Sequence, residues 1–114
     1  MKTYYMTRRQ RRPSAQVISQ DGRYKSYLRL RKDVVHHSDQ YDWGSTGAGA
    51  AQLALDLLAD AVGAEFALEF HQSFKWEVVS RRNTVEWEIT EEEIKEWARN
   101  KAARVNPAAG LNVL

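Results

Sequence analysis

A chain of 114 residues is long enough for one hydrophobic core and too short for two, and its 43% hydrophobic, 11% aromatic and 28% charged residues match a soluble globular domain rather than a disordered or fibrous one. The absence of cysteine excludes disulfide scaffolds, thiolate zinc sites, iron–sulfur clusters and cysteine nucleophiles; no apolar run approaches the roughly 20 residues of a membrane span, so the expectation is a cytoplasmic protein with no membrane partner. The net charge of +2 conceals a sharp asymmetry, because residues 1–33 carry ten Lys/Arg against two Asp, whereas residues 34–74 carry six Asp/Glu and no Lys/Arg.

The N-terminal third reads as sheet. Thr3–Thr7 and Ala15–Ser19 are rich in strand formers, and Arg11-Arg12-Pro13-Ser14 between them predicts a hairpin turn, since proline fixes its own φ and biases Arg12 toward an extended conformation. Asp21-Gly22 is a second turn signal. After it, Tyr24–Arg31 alternates, with Leu28 and Leu30 on one face and Arg29 and Arg31 on the other, which predicts a third strand with a basic, wet face. Val34 to Gly49 is rich in His, Ser, Asp and Gly and predicts an ordered loop anchored by Tyr41 and Trp43, with Ser45 or Thr46 capping a helix.

Within Ala48–Val62, Ala50, Leu53, Ala54, Leu57, Leu58 and Ala61 form one helical stripe, and Gly63 ends the helix. A second helix over Glu65–Ser80 places Phe66, Ala67, Phe70, Phe74 and Val78 on one side; the single-glycine link makes the two helices antiparallel neighbours. Val85, Trp87 and Ile89 share one face of a further strand. Thr90-Glu91-Glu92-Glu93 is a capping box opening a helix that turns Ile94 and Trp97 inward and ends in Lys101 and Arg104. The fold class is therefore α+β: a small antiparallel sheet of three or four strands packed against an antiparallel helix pair, plus a C-terminal capped helix. It forms a single domain over residues 1–105, with a frayed tail over 106–114. The expected core is Trp43, Leu53, Leu57, Leu58, Phe66, Phe70, Phe74, Val78, Trp87, Ile94 and Trp97.

Few residues suggest chemistry. The Gly44–Gly49 loop lacks the Gly-Lys-Ser/Thr of a phosphate loop and reads as glycines that let the helix start approach the sheet closely. His36, His37 and Asp39, with His71, are the residue types of a mixed metal site, but adjacent histidines on an extended segment point apart and His71 reads as helix surface, so no metal or cofactor is expected. Glu91–Glu93 is explained by capping rather than by acid–base catalysis, and the expectation is a non-enzyme. The signal that remains is basic: Arg8, Arg9, Arg11 and Arg12 crowd the hairpin tip, and Arg29, Arg31 and Lys32 join them, with Tyr4, Tyr5, Tyr24 and Tyr27 interleaved. Guanidinium forks and tyrosine faces bind phosphates, exposed bases and protein interfaces. Asp39, Asp42, Asp56, Asp60, Glu65 and Glu69 read as an opposing acidic, helical face.

The run Tyr41-Asp42-Trp43-Gly44-Ser45-Thr46-Gly47-Ala48-Gly49 continuing through Gln52, Asp56 and Asp60 resembles the signature of the domain of unknown function family 6166, small proteins of bacteria, plasmids and phages. Arg8-Arg9, Asp21-Gly22-Arg23, His37-Ser38, Phe74-Lys75, Val78-Val79 and the Trp87, Ile94, Trp97 pattern extend the likeness over roughly residues 3–98. The resemblance implies an α+β fold and a mobile-element setting, and it brings no established activity. In that setting the expected function is a non-enzymatic binding protein that occludes a host nucleic-acid-handling or defence complex, as an anti-CRISPR inhibitor does. The alternatives are direct nucleic-acid binding through the basic hairpin and a metal-dependent enzyme using the His36–Asp39 loop.

Overall fold

The computed structural model describes residues 1–9, 12–18 and 22–105. In chain order the elements are β1 (Thr3–Arg9), β2 (Arg12–Ile18), β3 (Lys25–Tyr27), α1 (Ala48–Ala61), α2 (Ala64–Glu77), a 3₁₀ turn (Val79–Arg81), β4 (Glu86–Thr90) and α3 (Glu91–Val105). The strands form one antiparallel sheet in the order β3-β2-β1-β4, and α1 packs along α2, so the architecture is the α+β arrangement read from the sequence, with four strands. The frayed tail expected over 106–114 lies outside the described residues, as do Arg11 and Asp21.

The hairpin is longer than the sequence implies. Pro13 and Ser14 are strand residues rather than turn residues, with Arg8 opposite Pro13 and Arg9 opposite Arg12. The strand tolerates the proline because the Arg8 N–H is turned to the other side, where it donates to the Val85 carbonyl at 3.0 Å, so β1 requires no donor from Pro13. On its far side β3 covers only Gln16–Ile18 and leaves Pro13 at an open edge. The third strand is correspondingly short: after the Leu28 N–H donates to Ala15 the chain leaves the ladder.

Tyr4, Met6, Ala15, Val17, Trp87 and Ile89 line the buried face of the sheet. Val85, expected on that face, is 60% exposed, because it precedes β4 at the end of the sheet. Helix α1 departs most from its pattern. One apolar stripe predicts a half-wet helix, yet Leu53, Leu55, Leu57 and Leu58 are all fully buried, and so are Gln52 and Asp56. The sheet, α2 and the connection from β3 enclose it on all sides. Each buried leucine contributes roughly 1.5–3 kcal/mol. Of the other expected core residues, Phe66, Val78 and Trp97 pack against the core only partly buried, and Phe70 is half-buried, stacked on Phe66 at 4.5 Å.

Two local expectations about caps resolve differently. Thr90 and Glu93 form the capping box: the Glu93 N–H donates to Thr90 Oγ1 at 3.0 Å and the Thr90 N–H donates to Glu93 Oε1 at 3.1 Å. At α1 neither Ser45 nor Thr46 caps; Gly47 stands at the N-cap, and the Ser45 hydroxyl donates instead to Asp42 Oδ2 at 3.0 Å. The glycines permit close approach, but to the loop rather than to the sheet. A Cβ on Gly49 would lie 2.9 Å from Asp42 Cβ and 3.0 Å from the Gln40 carbonyl oxygen.

Candidate nucleic-acid interface

Between β3 and α1 the chain runs for twenty residues with almost no secondary structure, and its backbone groups need partners from elsewhere. Helix α1 supplies them from two buried side chains one turn apart. Gln52 Oε1 accepts the N–H groups of His37 and Ser38 at 2.7 and 3.2 Å. Asp56 accepts the Arg31 N–H at 3.0 Å and the Tyr41 hydroxyl at 2.5 Å, and Gln52 Nε2 at 3.0 Å ties the pair together. Burial holds the Asp56 carboxyl above its ordinary value, opposed by these donors, while burial and the bond to Asp56 push the Tyr41 hydroxyl up. The connection is thus pinned to the core at Arg31, His37, Ser38 and Tyr41.

A second pin joins two histidines. His71, expected on the helix surface, is only 5% exposed and its Nε2 lies 2.9 Å from His37 Nε2. His71 Nδ1 faces the carbonyls of Ala67 and Leu68 and therefore carries a proton, which leaves its Nε2 to accept from His37. Burial, followed by the charges of His71 and Lys75, lowers the His37 pKa from 6.5. A histidine whose folded value is depressed contributes stability above its unfolded value and loses it as pH falls. The melting temperature is expected to drop as pH is lowered from about 7.5 to about 5, with a smaller slope in His37→Gln; equal slopes would refute the assignment. His36 is occupied separately, with Nε2 2.8 Å from Asp39 Oδ1. Among the described residues no group of three or more His, Asp or Glu is arranged to hold a metal ion.

The basic residues divide into two groups. Arg8 is committed internally: its guanidinium donates to Asp42 Oδ1 at 2.7 Å and to the Trp43 carbonyl at 2.9 Å and lies 4.3 Å from the Trp43 ring centre. Arg9 pairs with Glu86 across the outer sheet face, and Arg31 forks onto Asp33 at 3.0 and 3.1 Å, which holds that carboxyl below its usual range. Arg12, Arg29 and Lys32 are exposed and make no ion pair among the described residues. The register adds Lys25 and Tyr27, which stand on the outer face opposite Ile18 and Gln16; Lys25 is exposed and Tyr27 is 73% exposed. The sequence signal for them was the alternation Lys25, Tyr27, Arg29, which sits beside the Leu28 and Leu30 pattern. Arg12 on β2 and Lys25 and Tyr27 on β3 thus share the outer sheet face, and Arg29 and Lys32 follow on the connection that leaves β3.

The expected acidic counter-face does not form. Asp56 is fully buried, Asp42 is held by Arg8 and Ser45, and Asp60 accepts from the Tyr4 hydroxyl at 2.6 Å and from Lys2 at 3.1 Å. Only Glu65 and Glu69, on α2, are exposed helical members of that set. Beside Tyr27 the surface hollows. One depression of about 220 Å³ lies between Pro13–Ala15, Tyr27–Leu28, Leu30 and Asp39–Tyr41, and a second of about 430 Å³ continues from it toward Arg8 and Gly49.

The profile of the family of unknown function DUF6166 matches residues 5–100. The chain belongs to that family. No curated protein and no solved structure matches it. In this DUF6166 member the signature run from Tyr41 to Asp60 is a folding device, because Tyr41, Gly49, Gln52 and Asp56 all serve to seat the β3–α1 connection on α1, and Asp60 ties the same helix to β1. Among the described residues no helix is long and apolar enough to cross a membrane.

Proposed function

We propose that the protein is a non-enzymatic nucleic-acid-binding protein whose contact surface is the β2–β3 edge. The observation that supports this reading is the sorting of the arginines. Arg8, Arg9 and Arg31 are paired within the chain to Asp42, Glu86 and Asp33, while Arg12, Lys25, Arg29 and Lys32, on β2, β3 and the connection that follows, are exposed with no ion pair among the described residues. Four exposed cations neutralise phosphates and release counterions, which makes affinity fall with salt.

In anisotropy titrations of a labelled mixed-sequence oligonucleotide, affinity is expected to fall by roughly one to two orders of magnitude from about 50 to about 200 mM salt. The combined change Arg12→Glu, Lys25→Glu, Arg29→Glu and Lys32→Glu should abolish binding, whereas Arg81→Glu, an exposed residue of the 3₁₀ turn, should leave it intact. No binding at about micromolar protein, or a flat salt response, refutes the proposal.

A second reading, occlusion of a host nucleic-acid-handling or defence complex such as a CRISPR effector, draws on a different surface. Leu68 and Trp76 on α2 are 54% and 58% exposed, and large apolar side chains so placed favour a protein contact. The same titration separates the two, since a protein acting only through α2 shows no salt-dependent oligonucleotide binding.

A further inference from the structure

We infer that the polymer recognised at the β2–β3 edge is single-stranded, with one unpaired base seated against Tyr27 in the hollow beside it while the surrounding cations hold the phosphates; this rests on the reading of that edge as a nucleic-acid surface. Charge alone would serve a duplex as well as a single strand. Two further features favour the single strand. Tyr27 presents its ring on the outermost strand at 73% exposure, an expensive placement for an aromatic side chain with nothing to cover it. The same tyrosine walls the depression of about 220 Å³, whose remaining apolar lining is Pro13, Ala15, Leu28, Leu30 and Tyr41.

The part beside Tyr27 is smaller than the about 300–1,000 Å³ of sites that enclose a whole small ligand and matches one ring-sized group, with the larger depression toward Arg8 and Gly49 open to the rest of the strand. Asp39 and Gln40 stand at its rim and offer an acceptor and an amide to the polar edge of that ring. Exposed Arg12 adjoins Pro13 in the chain and exposed Arg29 lies between Leu28 and Leu30, so both stand next to lining residues, matching a phosphate chain that passes outside while a base turns in. Bases of a duplex are stacked on one another and cannot enter without being flipped, whereas an unpaired strand stacks its bases freely on an aromatic face. An acidic peptide satisfies the cations but leaves the ring and the hollow empty.

The test uses the full chain with labelled 12-mers of one mixed sequence as single-stranded DNA, single-stranded RNA and DNA duplex. The two single strands distinguish which sugar is preferred. At least one of them is expected to bind about tenfold more tightly than the duplex. Tyr27→Ala should weaken single-strand binding about tenfold while leaving the salt dependence and duplex binding unchanged, and Tyr27→Trp should restore it. Unchanged circular dichroism and melting temperature verify that the exposed Tyr27 variants fold. Equal affinity for duplex and single strand, or no effect of Tyr27→Ala, overturns this inference while the salt-dependent binding of the preceding proposal stands. Displacement of the strand by poly-glutamate as effective as that by unlabelled single strand at equal charge also overturns it; absence of salt-dependent binding to any of the three overturns both.

Discussion

Asp56→Ala is expected to lower the stability of the protein by about 3–5 kcal/mol and to loosen residues 31–41 first. Three donors converge on this fully buried carboxylate, the Tyr41 hydroxyl at 2.5 Å and the Arg31 N–H and Gln52 Nε2 at 3.0 Å. A methyl group in its place leaves all three without an acceptor where water does not reach, and each orphaned group costs about 1–3 kcal/mol. Gln52 is itself the anchor for His37 and Ser38, so the loss spreads along the connection. Asp56→Asn keeps one acceptor oxygen but turns an amide donor toward groups that already donate, and should cost about half as much. The charge has its own signature. Burial raises the Asp56 pKa above 3.8, so the carboxyl contributes stability below its unfolded value and that contribution is lost as pH rises through the raised folded value. Denaturant titration near neutral pH measures the first effect, and melting temperatures from about pH 3 to about pH 7 should show a smaller decline on the alkaline side of that window in Asp56→Asn. An Asp56→Ala protein within about 0.5 kcal/mol of the parent would show that the loop is held elsewhere.

Much of the architecture was legible because local rules and tertiary packing agreed. The capping box at Thr90–Glu93 fixed the junction of β4 and α3, and Gly63 separated α1 from α2 at its predicted place. Where the reading departed, a tertiary partner outweighed a local rule. Pro13 signals a turn, but an open sheet edge accommodates it in a strand. Asp56 and Asp60 at four-residue spacing look like a wet helical face, but with Gln52 they form the inner row that meets Tyr41, Arg31, Lys2 and Tyr4. Nothing in a hydropathy pattern distinguishes a carboxylate facing water from one facing a distant tyrosine. His71 is buried for the same reason, since its partner His37 lies 34 residues away.

The candidate site was legible in kind but not in membership. A surplus of eight positive charges in the first 33 residues announces a basic surface, yet sequence counting gives every arginine equal weight. The structure ranks them by their neighbours. Arg8, over the Trp43 ring and beside Asp42, holds the loop to the hairpin and has little charge left to offer a ligand. Arg12, Arg29 and Lys32 retain theirs, and Lys25 and Tyr27 join only through the β2–β3 register, because pairing with Ile18 and Gln16 decides which side of the sheet they face. The net charge therefore overstates the hairpin tip and understates the outer strand.

Gly44→Val should cost about 3–5 kcal/mol, from two sources that a control separates. The first is conformational: Gly44 sits at φ 75°, where a residue with a Cβ pays about 1–2 kcal/mol. The second is space, for a Cβ there would stand 2.7 Å from the Arg82 carbonyl oxygen, a backbone atom that yields only if the chain shifts. The shift matters because the loop crosses the 3₁₀ turn at this point. The Gly44 N–H donates to the Val79 carbonyl at 3.1 Å, and next to it Trp43, 2% exposed, donates through Nε1 to the Thr84 carbonyl at 2.8 Å and meets Trp87 edge-on. Displacing Gly44 withdraws Trp43 from the core and removes the ring on which Arg8 rests. Gly22 has the same φ of 75°, but a Cβ there would meet nothing within 4 Å, so Gly22→Val carries the conformational cost alone, about 1–2 kcal/mol. Parallel denaturation curves should therefore separate the two variants by about 2 kcal/mol or more, with a loss of near-ultraviolet tryptophan signal only for Gly44→Val. If both variants lose the same stability, strain accounts for Gly44 by itself and the close crossing of loop and 3₁₀ turn does not hold Trp43 in place.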